Sequence, residues 1–556
     1  MRNILPLILV FFLALETPHF AGEEDVRSQI KQWIQQLGDE SFIVRQRAES
    51  LLIRSGIQAY SELQRAKQSH DVEIVRRAEY VLSQIEQAFL DLENPETVFW
   101  IKQYMHAPNQ ASRAQIIWFL ADATTDLRRG EGLQTLCRLV RFEENAALRL
   151  EVAKTLIASP PPTLALRQNW YQHIRDTAQV SGDDELLQTL AQYAKLWCDL
   201  DEAGEKQTEA LQERVRQVGA STLRLLEHPD NRIQIGSAMD ILLRYAVAEL
   251  QDAAGLTEDR DKTVAAALTV QSKQLQVSEP SATFDLYDML LSNEHYHVGA
   301  CLRGRFRLHW AMAHFQKGME TGDIGFRIRS SLMAANVSHY FLDYAAGVAY
   351  YDQQIAFLES DEYKETHDPT RQVARAKRNR AHYLAEKAAA EENWEEARQY
   401  VLQSLSIPHV PIEDEDTDLA ILIHRLRKEH ADSDREFLDR TEPVLKQVWQ
   451  NIVQGFEQSS TERQLEEMAS TCNTAAWLLA NTDGDYAAAM TLIETTMKTH
   501  PDEANYLDTL AHVYFLGENA DEAVRIQERV VRMAPEATVF QSTLARFKKA
   551  KEEKPQ

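Results

Sequence analysis

Histidines and aromatic side chains make residues 283–362 the stretch best stocked for chemistry. His295, His297, His309, His314 and His339 lie among Phe284, Tyr287, Tyr296, Phe306, Trp310, Phe315, Phe326, Tyr340, Phe341, Tyr344, Tyr350, Tyr351 and Phe357. A metal site needs imidazoles that converge. His295 and His297 are two apart and His309 and His314 five apart, so neither pair shares a helical face as the two histidines of an H-E-x-x-H motif do. The composition favours aromatic core packing with capping histidines. The alternative is an aromatic groove that stacks on a glycan, in a cell-wall-associated binding protein or hydrolase. A second candidate is the acidic run Glu413–Asp418. Asp414, Asp416 and Asp418 alternate as in a calcium loop, but Leu419 stands where that loop needs Gly and Arg425 where it needs a bidentate Glu. No G-x-S-x-G elbow and no phosphate-cradling glycine loop occurs in the chain. The expectation is no catalytic residue, no metal and no cofactor.

The elements that carry these residues are helical. The 556 residues include only 19 Gly and 16 Pro, about half of average usage, and no segment alternates with β-branched enrichment. The net charge of −25 repels phosphate backbones, which argues against nucleic acid as a partner. Two basic runs, Arg303/Arg305/Arg307 and Arg375/Lys377/Arg378/Arg380, are read as solvated helix faces paired with nearby acids, with an anion-binding patch as the sharper alternative. Residues 1–22 read as a signal peptide: Arg2, an apolar stretch from Ile4 to Leu15, and Ala21-Gly22 near the cleavage point. That stretch is short for a bilayer span, so the mature chain is expected to be exported, periplasmic or extracellular, without stable membrane insertion. Cys137, Cys198, Cys301 and Cys472 form no C-x-x-C pair and sit in apolar helical contexts, which favours buried free thiols.

Near the C-terminus two segments keep step at 34 residues, Pro501 with Pro535 and Ala489 with Ala523. In the second, Leu507, Leu510 and Tyr514 form one helical stripe. Ala511 and Ala523 are small enough for two helices to approach closely, and Pro535 ends the unit. In the first, aligned at 34, Ala476, Ala489 and Pro501 fit, while Trp477 falls where the second has its small residue. A third copy fits Arg380–Pro408, with Leu384, Ala385 and Ala397; its Ala385–Ala397 gap equals the Ala511–Ala523 gap. These residues resemble the tetratricopeptide helix–turn–helix repeat.

At the other end, Asp39 to Glu49 and Asp71 to Glu79 share a pattern in which Ala48-Glu49 and Ala78-Glu79 stand 30 apart, each followed by a pair of apolar residues. This stretch resembles a HEAT-type repeat. The resemblance implies an Asp capping the second helix and an Arg bonding between units. Looser copies lead through Ile116–Leu120 and Leu148–Ile157 to the break at Pro160-Pro161-Pro162.

Together these readings give an all-α chain, an α-solenoid of antiparallel helix pairs that is HEAT-like in its N-terminal half and tetratricopeptide-like in its C-terminal half, of the kind found in exported bacterial repeat proteins. The expected divisions after the signal segment are 26–158 (HEAT-like), 164–279 (irregular helical), 281–365 (aromatic and His-rich), 369–410 (one tetratricopeptide-like repeat), 411–470 (acidic loop and connecting helices), 471–547 (tetratricopeptide repeats) and a charged tail, 548–556. Stacked repeats leave an extended surface that usually binds protein. Tetratricopeptide register places the groove at Asn379, His382 and Glu386, at Thr471, Thr474 and Leu478, and at Asn505, Asp508, His512 and Phe515. The resemblance therefore implies a non-catalytic scaffold or adaptor for a protein or peptide. Its neutral to acidic groove would suit apolar or basic ligand residues.

Overall fold

A computed structural model describes residues 23–90, 95–107, parts of 113–143, 145–158, 164–180, 185–228 (apart from 205 and 207), 238–270, 294–408, 416–430, 434–457 and 469–553 (apart from 483). The signal segment, Asp414 and the triple proline lie outside these residues. Among the described residues there is no strand, and the chain divides into two compact units.

The first unit runs to Glu93 with a short piece at 142–144. Its helices are α1 (Glu23–Gln36), α2 (Phe42–Ser55), α3 (Ile57–Ala66) and α4 (Val72–Leu90). They bury Leu37, Ala48, Leu52, Leu63, Ala78 and Val81. Asp71 caps α4: its Oδ1 accepts from the backbone N–H of Glu73 at 2.9 Å, satisfying a donor the first turn leaves open. Arg77 donates to Glu49 of α2 at 2.8 Å and to Glu73 at 2.7 Å. The Asp71 cap is the one the HEAT-type resemblance implies; of the arginines that follow Val in the two copies, Arg45 lies 3.4 Å from Glu73 of α4, and Arg77 adds a contact the resemblance did not name. Gly38 is required by contact, since a Cβ there would meet the Asp71 carboxylate at 2.6 Å.

The second unit holds the remainder, so the triple proline falls inside it and the division lies near residue 93. It begins with α5 (Pro95–His106), α6 (Ala146–Ala158), α7 (Leu164–Val180), α8 (Glu185–Ala203), α9 (Glu209–Arg224), α10 (Ala238–Ala253) and α11 (Thr257–Leu268). A series of hairpins follows: α12 (Glu294–Gly304) with α13 (Leu308–Thr321), α14 (Ile324–Tyr340) with α15 (Tyr344–Leu358), and, after the one-turn α16 (Asp361–Lys364), α17 (Thr370–Ala390) with α18 (Trp394–Leu405). Then come α19 (Thr417–His430) with α20 (Arg435–Glu457), α21 (Ala469–Asn481) with α22 (Tyr486–Thr499), α23 (Ala504–Leu516) with α24 (Ala520–Met533), and α25 (Thr538–Glu553). The helices of the hairpin series pack chiefly on their near neighbours in sequence, the packing of a helical-repeat solenoid; α6 packs instead on α10 and α8.

Four of these hairpins share one turn. Phe306, Leu342, Glu392 and Glu518 all have φ between 55° and 59°, a left-handed conformation that ends the first helix. The next residue donates its N–H five residues back, Asp343 to Ser338, Asn393 to Ala388 and Asn519 to Tyr514, at 2.8–2.9 Å, which is a Schellman closure. The same Asp or Asn then caps the second helix through its side chain. Small pairs twelve apart mark the close approach: Gly299/Ala311, Ala335/Gly347, Ala385/Ala397 and Ala511/Ala523. A Cβ on Gly299 would meet Phe315 at 2.7 Å, and one on Gly347 would meet Tyr383 at 2.4 Å. The aromatic middle is thus two more hairpins of the repeat type, with Gly in place of one Ala.

The register of α21 differs from the sequence expectation. Ala476 and Ala489 are thirteen apart, one more than in the other pairs. The first helices of the last two hairpins therefore align at 35 residues, although their second helices align at 34. Cys472, Ala475 and Ala476 then match Leu507, Leu510 and Ala511, and all three are buried. Trp477 matches His512 and does not occupy the small position.

The far end of the series returns to its middle. Phe540 at the start of α25 lies 5.8 Å from Phe306 and 5.9 Å from Tyr340, ring centre to ring centre. Tyr340 donates to Asn505 at 3.2 Å, and the Glu536 carboxylate accepts from the His309 N–H at 2.9 Å. One apolar cluster joins α10, the hairpins α12/α13 and α14/α15, and helices α23–α25.

Candidate functional site: the inner face of the second unit

The first helices of successive hairpins present one side chain each at a common register: Glu386 on α17, Arg425 on α19, Trp477 on α21, His512 on α23 and Arg546 on α25. Contacts link this column from end to end. Arg425 is 3.3 Å from Glu386. Asp418, two turns before Arg425, accepts from the Trp477 indole N–H at 3.0 Å. The Trp477 and His512 rings are 4.6 Å apart, and His512 is 5.2 Å from Phe547. Phe515 stacks on Phe547 at 4.5 Å, and the Arg546 guanidinium lies 5.1 Å from the centre of Phe547 and 5.8 Å from that of Phe515. At the opposite end Tyr344 and Tyr383 meet edge to face at 5.9 Å, with His339 beside both.

Neighbouring groups fix the charge of each member. Asn481 donates through its side-chain NH2 to the Trp477 carbonyl at 2.9 Å, so its oxygen faces His512 Nδ1 at 2.8 Å. His512 must then donate from Nδ1, leaving Nε2 to accept from Arg546 at 3.4 Å. Burial, helped by the Arg546 charge, holds the His512 pKa well below the ordinary imidazole range. Burial also lowers the Arg546 pKa, with Arg425 adding to the effect and Asp508 opposing it. Yet Arg546 keeps open access to solvent. Burial raises the Glu386 pKa, but His382, Arg425 and His339 outweigh it and hold Glu386 ionised.

The groove residues expected from sequence are not all in this column. Glu386 and His512 are, though His512 is buried at 5 % exposed, and Phe515 lies beside the column against Phe547. His382 is 3.8 Å from Glu386. Asn379 bonds with the Tyr351 side chain, and Asn505 with Tyr340. Thr474 bonds back to the Ser470 carbonyl at 3.0 Å, and Thr471 is half-buried on the same helix. Leu478 requires correction: it is 1 % exposed and belongs to the core under α21 and α22. The one-residue slip turns Trp477 to the inner face in its place, because adjacent helical positions differ by about 100°. Asp508 is also buried; it accepts from Gln527 at 2.6 Å, and burial pushes its pKa up to about 7 against that bond and Arg546. Sequence reasoning did not place Arg425 or Arg546 in the groove. Adding 34 to His512 gives Arg546 directly, so that signal was present.

The other candidates are committed elsewhere. His314 is fully buried, with Nε2 2.8 Å from the Tyr245 hydroxyl and Nδ1 2.8 Å from His295, and His309 stacks on Phe341. Phe315 and Phe326 are buried and packed against Tyr296. Trp310 is flanked by Tyr245 and Arg307, not by converging carboxylates. Asp416 pairs with buried Arg378 at 3.2 Å. Of the basic runs, Arg305 reaches Glu249, Arg307 reaches Asp252, Lys377 reaches Glu359 and Arg380 reaches Asp352. The four cysteines are free thiols. Among the described residues, no group of three or more His, Cys, Asp or Glu could hold a metal ion, and no helix is long and apolar enough to cross a membrane.

The fold and this face define an all-α helical-repeat protein with a chemically varied column of side chains along the first helices of its hairpins. No family model matches the chain, and no curated protein does. Among solved structures it is similar to a human IFIT1 dimer with PPP-AAAA, at 12% identity and a TM-score of 0.21, over 91% of this chain and 95% of that one. It is also similar to a monomeric IFIT1 mutant with Gppp-AAAA, at 14% identity and a TM-score of 0.22, over 91% and 100%. A circular tandem repeat protein matches at 14% identity and a TM-score of 0.13, over 91% and 95%. At such TM-scores these likenesses carry no argument about this chain's ligand.

Proposed function

We propose that the chain is a non-catalytic scaffold or adaptor, exported behind its N-terminal signal segment, whose second unit holds a protein or peptide segment on its inner face. The observation that carries this reading is the column Glu386, Arg425, Trp477, His512 and Arg546. The first helices of five hairpins or end elements (α17, α19, α21, α23 and α25) each contribute a polar or aromatic group at one register, and Arg425 and Arg546 remain accessible. A face that only solvates a solenoid has no need of stacked aromatics around an arginine. Arg2 and the apolar stretch Ile4–Leu15 support export, and the net charge of −25 favours a protein partner over nucleic acid.

The test is affinity capture from the native organism with the mature chain and with a Trp477→Ala/Arg546→Met variant of matching circular dichroism. Proteins held by the first and lost by the second support the reading. Identical sets from both would move the binding surface away from this face.

A further inference from the structure

We infer that the inner face selects an acidic segment, a peptide in which an Asp or Glu seats on Arg546 while an adjacent aromatic or apolar side chain packs against the shelf formed by Trp477 and Phe515. This rests on the binding-module reading above and reverses the preference for basic ligands that the sequence implied.

The charges on the face are unevenly spent. Glu386 is matched by Arg425 at 3.3 Å with His382 beside it, and Asp418 is engaged by the Trp477 indole. Arg546 has no such match: among the described residues no carboxylate lies within ion-pair distance of it. The nearest electrostatic partner, Asp508, is buried and bonded to Gln527. The contacts Arg546 does make leave hydrogen-bonding capacity over. It meets neutral His512 at 3.4 Å and two aromatic rings, and a guanidinium carries five N–H donors in a planar fork. Phe547 is fully buried beneath Phe515 and His512, His512 in turn meets Trp477, and Phe515 and Trp477 keep partly open surfaces. A carboxylate is the planar two-oxygen group that meets such a fork bidentately. Arg425 and Asp508 act on Arg546 in opposite senses, and Glu386 and Asp418, the carboxylates that would meet a basic ligand, are already engaged.

The experiment is selection of a displayed library of random peptides on the full-length chain. Enriched peptides are then measured individually against wild type, Arg546→Met, Arg546→Lys and Trp477→Ala. The expected result is enrichment of peptides with Asp or Glu beside an aromatic or large apolar residue. Their affinity should fall roughly tenfold or more on Arg546→Met and less on Arg546→Lys, which keeps the charge but loses the fork. Replacing the selected acid by its amide should cost wild type about as much and the Arg546→Met variant almost nothing. Enriched peptides that are basic or neutral, or that bind Arg546→Met as tightly as wild type, would overturn the acidic preference. If those same peptides were lost on Trp477→Ala, the groove reading would stand without it. Failure to enrich any peptide would overturn both.

Discussion

Phe540→Ala should detach the end of the helical series from its middle. The ring is 3 % exposed and completes a three-ring cluster with Phe306 and Tyr340, all centres within 5.7–5.9 Å. Truncating a buried Phe costs about 3–5 kcal/mol, combining lost transfer energy with the cavity left behind. The polar contacts that remain across this contact, Tyr340 to Asn505 and the His309 N–H to Glu536, supply about 1 kcal/mol each. They cannot replace the ring. The loss should fall on α23–α25, because α14, α15 and α17 keep their own core around Ala335, Tyr351 and Tyr383, and α17 and α18 keep theirs around Ala385, Ala397 and Val401. Hydrogen exchange read by mass spectrometry distinguishes the regions. Amides in 504–553 should lose protection, by a factor of a hundred or more for about 3 kcal/mol, while those in 344–405 hold theirs. Unchanged protection in 504–553, or uniform loss across the second unit, would refute the view that this aromatic cluster is what ties the end of the chain to its middle.

Other perturbations test the remaining physics. Asp508→Asn removes a carboxyl whose pKa burial lifts to about 7. A raised acid pKa means the fold binds more protons than the unfolded chain between pH 4 and 7, so stability falls as pH rises through that window; the variant should lose this slope and exceed wild type in denaturant midpoint at pH 8. Gly347→Val should destabilise by about 1–3 kcal/mol, since even a Cβ would lie 2.4 Å from the buried Tyr383 ring; an unchanged midpoint would mean that the ring has somewhere to move. Glu49→Ala should cost only about 0.5–1 kcal/mol, because Arg77 keeps Glu73 at 2.7 Å. A loss of several kcal/mol in the first unit would show that the pair carries more than its exposure suggests.

Much of the repeat architecture was legible in the chain. Asp71 could be identified as a cap, because that role depends on local spacing. The pairs Ala385/Ala397 and Ala511/Ala523 marked where helices meet, since close approach admits only small side chains. The same twelve-residue gap at Gly299/Ala311 and Ala335/Gly347 was less legible, because Gly replaces one Ala of each pair and aromatic side chains surround both. The slip in α21 was harder: one extra residue between Ala476 and Ala489 exchanges Trp477 and Leu478 between groove and core, and periodicity alone does not locate an insertion inside a turn.

By itself the sequence determined that the chain is helical, where its hairpins close, and which positions must be small, because these depend on residues within about one repeat of each other. Only the tertiary structure decided that Phe306 meets Phe540 across more than two hundred residues, and that Arg425 and Arg546 share one face with Trp477. Solenoid curvature accumulates from small rotations at every interface. No single repeat encodes whether the series closes on itself, and the charge of the enclosed face follows from that closure.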